Sequence, residues 1–238
     1  MAASARLGTD AAFDEGQMKI GRRLAIKLLN AAKFSLSFEL PGKNAKVSEP
    51  IDLAMLAKLS KVVEQATEAF EKYDHTKALE VSESFFWTFT DDYMELVKER
   101  AYGASGHTPE QTSSAVAALR EALAVLVRLF GPFIPFAAEE VWSWWQEGSV
   151  HNAAWPTKDE IVGEKPELMD IASQALILIR KSKSDAKLSM KAEIETLELQ
   201  GPKDLEALAS DLKDVGKVKM LKLSEGSSLE VLELSFSE

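Results

Sequence analysis

Cysteine is absent from the 238 residues, which excludes disulfide frameworks and thiolate metal sites. Histidine is scarce: His75, His107 and His151 lie too far apart in sequence to suggest a zinc site. Long uninterrupted apolar runs are also missing. The best candidate, "LAVLVRLFGPFIPFAA", is broken by Arg128, Gly131 and two prolines, and none of the runs reads as a membrane span. "MAASARLGTD" lacks the apolar core of a secretory signal, and a reduced, cytoplasmic setting is expected. Positive charge is in deficit, with 28 Lys+Arg against 38 Asp+Glu and a net charge of −10. That balance argues against a protein coating nucleic acid over its whole surface, so any such contact must be local. What is present, 46% hydrophobic and 28% charged residues, suits a soluble globular protein with one large core or two ordinary ones.

One absence is confined to a single stretch. From Gln17 to Phe38 there is no acidic residue, while Lys19, Arg22, Arg23, Lys27 and Lys33 all fall inside it. The stretch reads as a first helix over 16–39, ended by Pro41-Gly42. With about 100° per residue and Lys19 at zero, Asn30, Arg23, Phe34 and Lys27 share an arc of about 80° with it. Gly21, Ala25, Leu28, Ala32 and Leu36 fall on the opposite side and are the expected core face. One reading is a solvated polar face with Phe34 tucked under a loop. The other is a nucleic-acid surface, in which cations meet phosphates, Asn30 reads a base edge and Phe34 stacks on an unpaired base. Two facts favour the second. Solubility of so acidic a protein requires no basic face, and a helix without a carboxylate forgoes intrahelical ion pairs.

The remaining pattern is helical as far as Trp155-Pro156. Pro50 opens a second helix with Leu56, Leu59, Val63, Ala66 and Phe70 on one face. Asp74 caps a third, lined by Ala78, Phe85, Phe89, Tyr93 and Leu96 and stopped by Gly103. Thr108, Pro109 and Gln111 start a fourth that runs to Phe130, and "PFIPFAAEEVWSWWQ" forms a fifth. The fold class expected is mainly α: an antiparallel helical bundle over 1–160, with 1–15 as lead-in, followed by a small α+β domain over 161–238. In the second domain 166–185 is helical and "KAEIETLEL" is strand-like. "PKDLEALASDL" is a short helix, and "GKVKMLKL" and "SLEVLELSFS" are strands that "SEGSS" joins as a hairpin.

Several further features carry less. Trp142 and Trp145 share a helix face and read as packing residues. Asp91, Asp92 and Glu95 read as solvated carboxylates without a base or metal partner. "IRKSKSDAKLSMK" sets Arg180, Lys181, Lys183, Lys187 and Lys191 against one Asp185. It is either a nucleic-acid backbone contact or a plain surface helix end.

"DEGQMKIGRRLAIKLLNAAKF" resembles the segment that opens the anticodon-binding bundle of valyl-tRNA synthetases, class I aminoacyl-tRNA synthetases. "SFFWTFTDDYMELVKERAYG", "LVRLFGPFIPFAAEEVWSWW" and "GSVHNAAWP" resemble later landmarks of that bundle in the same order, and "ALILIRKSKSDAKLSMKAEIETLEL" the opening of the domain after it. The resemblance implies that the first helix faces the anticodon loop of valine tRNA. Lys27 and Asn30 match polar anticodon-contacting positions, Lys33 a basic one and Phe34 a stacking ring, with Lys19, Arg22 and Arg23 in the basic run before them. Arg180, Lys181, Lys183 and Lys187 are candidate backbone contacts.

The family's "HIGH"-type and "KMSKS"-type motifs, which bind ATP, do not occur in the sequence. The resemblance therefore implies a non-catalytic portion with no cofactor or metal of its own, part of a monomeric parent that uses ATP and Mg to attach valine. "AASARLGTD" resembles a segment just after the "KMSKS" region, so the chain is expected to begin mid-protein. No heptad run like the coiled-coil arm of many bacterial relatives precedes Glu238. Two alternatives remain at this point: a protein-interaction bundle with no nucleic-acid role, and the equivalent region of an isoleucyl or leucyl enzyme.

Overall fold

A computed structural model describes residues 5, 8, 10, 13–39 and 45–236. The chain is mainly helical, with one three-stranded sheet near its C-terminal end. Among the described residues no helix is long and apolar enough to cross a membrane.

Helix α1 spans Glu15–Leu36. Asp14 caps it, its carboxylate accepting from the Gly16 amide at 2.7 Å. Its last turn is closed by Ser37, whose amide and hydroxyl both donate to the Phe34 carbonyl. The helix is thus shorter than 16–39 at its far end; Pro41-Gly42 lies outside the described residues. Helix α2 spans Pro50–Glu71 and α3 spans His75–Thr88, the latter capped as expected by Asp74, which accepts from the Lys77 amide. A π-helical turn, Phe89–Tyr93, then runs into α4, Met94–Ala101. This turn was not legible in the sequence. It keeps Phe89 and Tyr93 stacked, 5.8 Å between ring centres, with both fully buried. Helix α5, Pro109–Phe130, starts with the expected capping box: Gln111 and Thr108 exchange side-chain-to-amide hydrogen bonds. Helix α6 is Pro135–Ser143 and α7 is Glu167–Asp185.

By contact the chain forms two compact units, each assembled from three segments. One comprises residues 1–45, 56–87 and 116–162. There α1 packs on α6, Phe86 meets Phe130 edge to face at 5.2 Å, and Phe70 lies between Phe133 and Trp155. The other comprises residues 46–55, 88–115 and 163–238 and includes α4, α7, helix α8 (Ala209–Gly216) and the sheet.

Strands β1 (Ile194–Gly201), β2 (Val218–Glu225) and β3 (Glu230–Phe236) are ordered β2-β1-β3. The hairpin expected for β2 and β3 does not form. β1 pairs parallel with β2 and antiparallel with β3, so "SEGSS" arches over the end of β1 instead of reversing beside it. Burial gives the reason. Ile194, Leu197 and Leu199 of β1 are fully buried, whereas the flanking strands keep many side chains in solvent, so the central place falls to β1. The arch needs close backbone approach at two glycines. The Gly226 amide donates to the Gly201 carbonyl at 2.8 Å, and a Cβ on Gly201 would stand 2.6 Å from Leu229 Cδ1.

A buried polar cluster joins α2, α4, α5 and α8 within this second unit. Arg100 on α4 spends all five of its N–H donors: two on Asp52, two on Asp211 and one on the Gln111 carbonyl. Asp52 also accepts from Tyr93 Oη at 2.8 Å and Ser114 Oγ at 2.6 Å.

Candidate nucleic-acid interface

The residues of α1 that are buried are Leu24, Leu28, Ala31, Ala32 and Ser35. The core face is therefore turned by about 55° from the one expected, because the buried row runs 24, 28, 31, 35 with Gly21, Ala25 and Leu36 at its edge. The opposite side carries Lys19, Arg22, Arg23, Asn30 and Lys33, all exposed. These five residues form one continuous face. Among the described residues no carboxylate pairs with any of its four cations. Ile26 stands in the middle of this face, about half exposed, and Met18 and Ile20 flank it. The face is thus amphipathic, cations with aliphatic surface between them, a feature the charge pattern alone did not reveal.

Lys27 and Phe34 sit on the margin between this face and the core, and both are half-buried. The Lys27 ammonium lies 5.6 Å from the centre of the Trp87 ring, a cation–π distance. Trp87 in turn donates its indole N–H to Glu83. Phe34 packs edge-on against Phe38, 5.1 Å between centres and 87° between planes. Arg120 on α5 donates to the carbonyls of Leu36 and Phe38, holding the exit of α1. Trp87, beside Lys27, and Arg120, at the exit of α1, are contacts that sequence reasoning missed. The "FFWTF" run was visible, but nothing in it announces which ring faces Lys27, 60 residues earlier in the sequence.

The second basic run is divided by the fold. Lys181 and Lys187 are exposed. Arg180 donates to Asp92 at 2.9 Å and to the Asp91 carbonyl, so Asp92 is an engaged, largely buried carboxylate and not a solvated one. Lys183 is buried, its ammonium donating to the Met190 carbonyl at 3.0 Å. Burial, and then the neighbouring Lys217, push its pKa below the ordinary lysine value. Of the tryptophans, Trp142 and Trp145 pack ring to ring, 5.7 Å apart. No group of three or more His, Asp or Glu side chains placed to hold a metal occurs among the described residues.

Residues 52–199 match the family described as the anticodon-binding domain of tRNA ligase. The chain belongs to this anticodon-binding family. Among similar proteins, the valine--tRNA ligase of Thermobifida fusca is 52% identical over 230 residues, covering 92% of this chain and 26% of that protein. The valine--tRNA ligases of Cutibacterium acnes and Leifsonia xyli subsp. xyli are each 48% identical, and the matches cover the whole of this chain and 28% of each relative. The chain thus spans little more than a quarter of the length of these relatives. Helix α1 precedes the segment matched by the anticodon-binding family but lies within the span shared with the last two relatives.

Proposed function

We propose that this chain is the anticodon-binding portion of a valine--tRNA ligase and that α1 is its contact with the anticodon loop of valine tRNA. The observation that carries this reading is the exposed face of α1. Four cations and one amide without carboxylate partners stand on a single helix of a chain with net charge −10. From Lys19 to Phe34 the helix is about 22 Å long, enough to follow several successive nucleotides.

The roles follow from chemistry. Arg22, Arg23, Lys19 and Lys33 meet phosphates, because displacing counterions from the backbone supplies most of the non-specific affinity. Asn30, which offers both a donor and an acceptor, reads a base edge. Phe34 turns part of its ring outward for an unpaired base, with Phe38 fixing its plane, and Lys27, steadied over Trp87, lies beside it. The parent enzyme, on this reading, joins valine to its tRNA with ATP and Mg in the cytoplasm as a monomer. This chain supplies recognition and depends on the rest of that chain for chemistry.

A titration tests it. The chain is mixed with a valine tRNA transcript, with the same transcript carrying another anticodon, and with both at several salt concentrations. Binding should weaken with salt, and the anticodon exchange should reduce affinity by about tenfold, the equivalent of one lost stacked or base-edge contact at 1–3 kcal/mol. Equal affinity for both transcripts, or an affinity indifferent to salt, overturns the assignment. Asn30→Ala should erase much of the anticodon preference while leaving the salt dependence in place.

A further inference from the structure

The unit formed by residues 46–55, 88–115 and 163–238 contains a pocket of about 410 Å³, walled by α4, α7, the end of α8 and the turn after α7. That volume lies in the range of small-ligand sites. Five cations line it: Lys98, Arg180, Lys183, Lys191 and Lys217. Three carboxylates face them, Glu95, Glu99 and Asp214, and Leu176, Ile179 and Val215 form apolar wall.

Pairing within the fold does not neutralise this set. Glu95 lies 3.5 Å from Lys98, Asp214 is bound to His107 at 2.6 Å, and Arg180 is held by Asp92. Lys183, Lys191 and Lys217 have no carboxylate partner among the described residues. Lys183 is only 2% exposed and spends one N–H on the Met190 carbonyl, which leaves two donors in the pocket. Lys217 is close enough to Lys183 to disfavour its charge. It ends α8 in the left-handed conformation, φ 51°, a position where glycine is the usual residue. Of these three only Lys183 is buried; Lys191 and Lys217 stand in solvent at the rim and Glu99 is the remaining lining carboxylate, so an anion bearing several acceptor oxygens would satisfy the free donors of Lys183 and be held by the two rim ammonium groups.

We propose that this pocket is a phosphate-ester site in which Lys183, Lys191 and Lys217 hold a backbone phosphate of the bound tRNA. The source of the phosphate rests on the tRNA reading above; the site itself rests on the pocket.

Lys191 and Lys217 are exposed, so Lys191→Gln with Lys217→Gln tests the site without disturbing the core. Two measurements are made on the 238-residue chain: tRNA affinity between 50 and 200 mM salt, and amine acetylation of each lysine read by mass spectrometry. The ligands for the second are valine tRNA, AMP and inorganic phosphate. With one phosphate contact gone, the double variant should lose about threefold less affinity than the parent over that salt range. Valine tRNA should protect Lys191 and Lys217 in the parent. If tRNA protects Lys19 and Lys33 of α1 but leaves Lys191 and Lys217 reactive, and the salt dependence is unchanged, the pocket assignment is overturned while the α1 reading stands. If tRNA does not bind, the α1 reading fails and the other two ligands decide. Protection of Lys191 and Lys217 by AMP or phosphate upholds a phosphate site and overturns tRNA as its source; no protection by any of the three overturns the site.

Discussion

Removing the Arg100 guanidinium strips the second unit of the cation at the centre of its buried polar cluster. Arg100→Met keeps the aliphatic stem and deletes five hydrogen bonds at 2.8–3.2 Å. The side chains involved are 2% exposed for Arg100, 0% for Asp52 and 7% for Asp211, so solvent neither screens the loss nor replaces the donor. Two carboxylates are left facing each other in the interior. Breaking a buried ion pair in this one-sided way costs about 3–5 kcal/mol. For a chain of this size each kcal/mol lowers the melting temperature by about 2–4 °C, so a fall of about 10 °C is expected by calorimetry. The pH dependence adds a check. Burial holds the Asp211 carboxyl above the ordinary carboxylate range, and Arg100 opposes that rise. Without Arg100 the folded-state pKa climbs further. A carboxyl whose folded pKa exceeds its unfolded value of about 3.9 favours the fold while protonated, and that contribution fades as pH rises through the folded value. The penalty of Arg100→Met should therefore shrink on acidification toward pH 4–5 and be largest near pH 8. Adding Asp52→Asn and Asp211→Asn removes the orphaned charges; Tyr93 and Ser114 donate to different oxygens of Asp52, so the amide oxygen at 52 keeps one of these two bonds. The triple variant should recover part of the stability. A single variant that melts within about 2 °C of the parent, or a triple variant less stable than the single, refutes the account of this cluster as a charge-balanced core.

Three other outcomes are expected. Phe34→Ala removes a half-buried ring, so it should cost about half the 3–5 kcal/mol of a fully buried phenylalanine and also weaken tRNA binding by about 1–3 kcal/mol, with the salt slope unchanged. Melting and titration of one sample check both, and unaltered affinity sinks the stacking role. Arg120→Ala orphans the carbonyls of Leu36 and Phe38; amide exchange over the last turn of α1 should accelerate, and stability should fall by about 1–2 kcal/mol. Gly201→Ala places a Cβ against Leu229 beneath the β2–β3 arch and should cost about 1 kcal/mol, because the Leu229 methyl can give way; a neutral result in urea denaturation argues against so tight a crossing.

The helices were legible because each carries its own punctuation. Asp74, Thr108 with Gln111, Pro50 and Gly103 act within one turn of the chain, and the structure uses each of them as read. The sheet order was not, for a physical reason. "SEGSS" has the composition of a hairpin turn, but pairing is decided by which strand can be buried on the sheet's inner face, and that depends on how α8, the crossover between β1 and β2, packs against the sheet. The π turn escaped for a related reason. The apolar spacing through Phe85, Phe89, Tyr93 and Leu96 suits a helix with or without one inserted residue. The Arg100 cluster joins residues from positions 52 to 211, and no local pattern marks a buried arginine among exposed ones.

On α1 the charge pattern located the outer face to within part of a turn, and what it misjudged is informative. The wheel centred on Lys27 and Phe34 as firmly as on Lys19 and Asn30, because it weighed only where polar residues cluster. The inner row Leu24, Leu28, Ala31 and Ser35 sets the true axis and leaves Lys27 and Phe34 at the boundary. A boundary residue has a neighbour on one side and solvent on the other. Trp87 under Lys27 and Phe38 against Phe34 reduce the rotamer freedom of both side chains. Side chains already ordered lose less entropy when a nucleotide docks on their outer edge. Trp87→Leu separates this from simple packing. It removes the cation–π contact from a half-buried position, so stability should change little, while tRNA affinity should fall by about 0.5–1 kcal/mol through a less ordered Lys27. A variant with reduced stability and unchanged affinity would leave Trp87 as a packing residue and remove preorganisation from the description of this face.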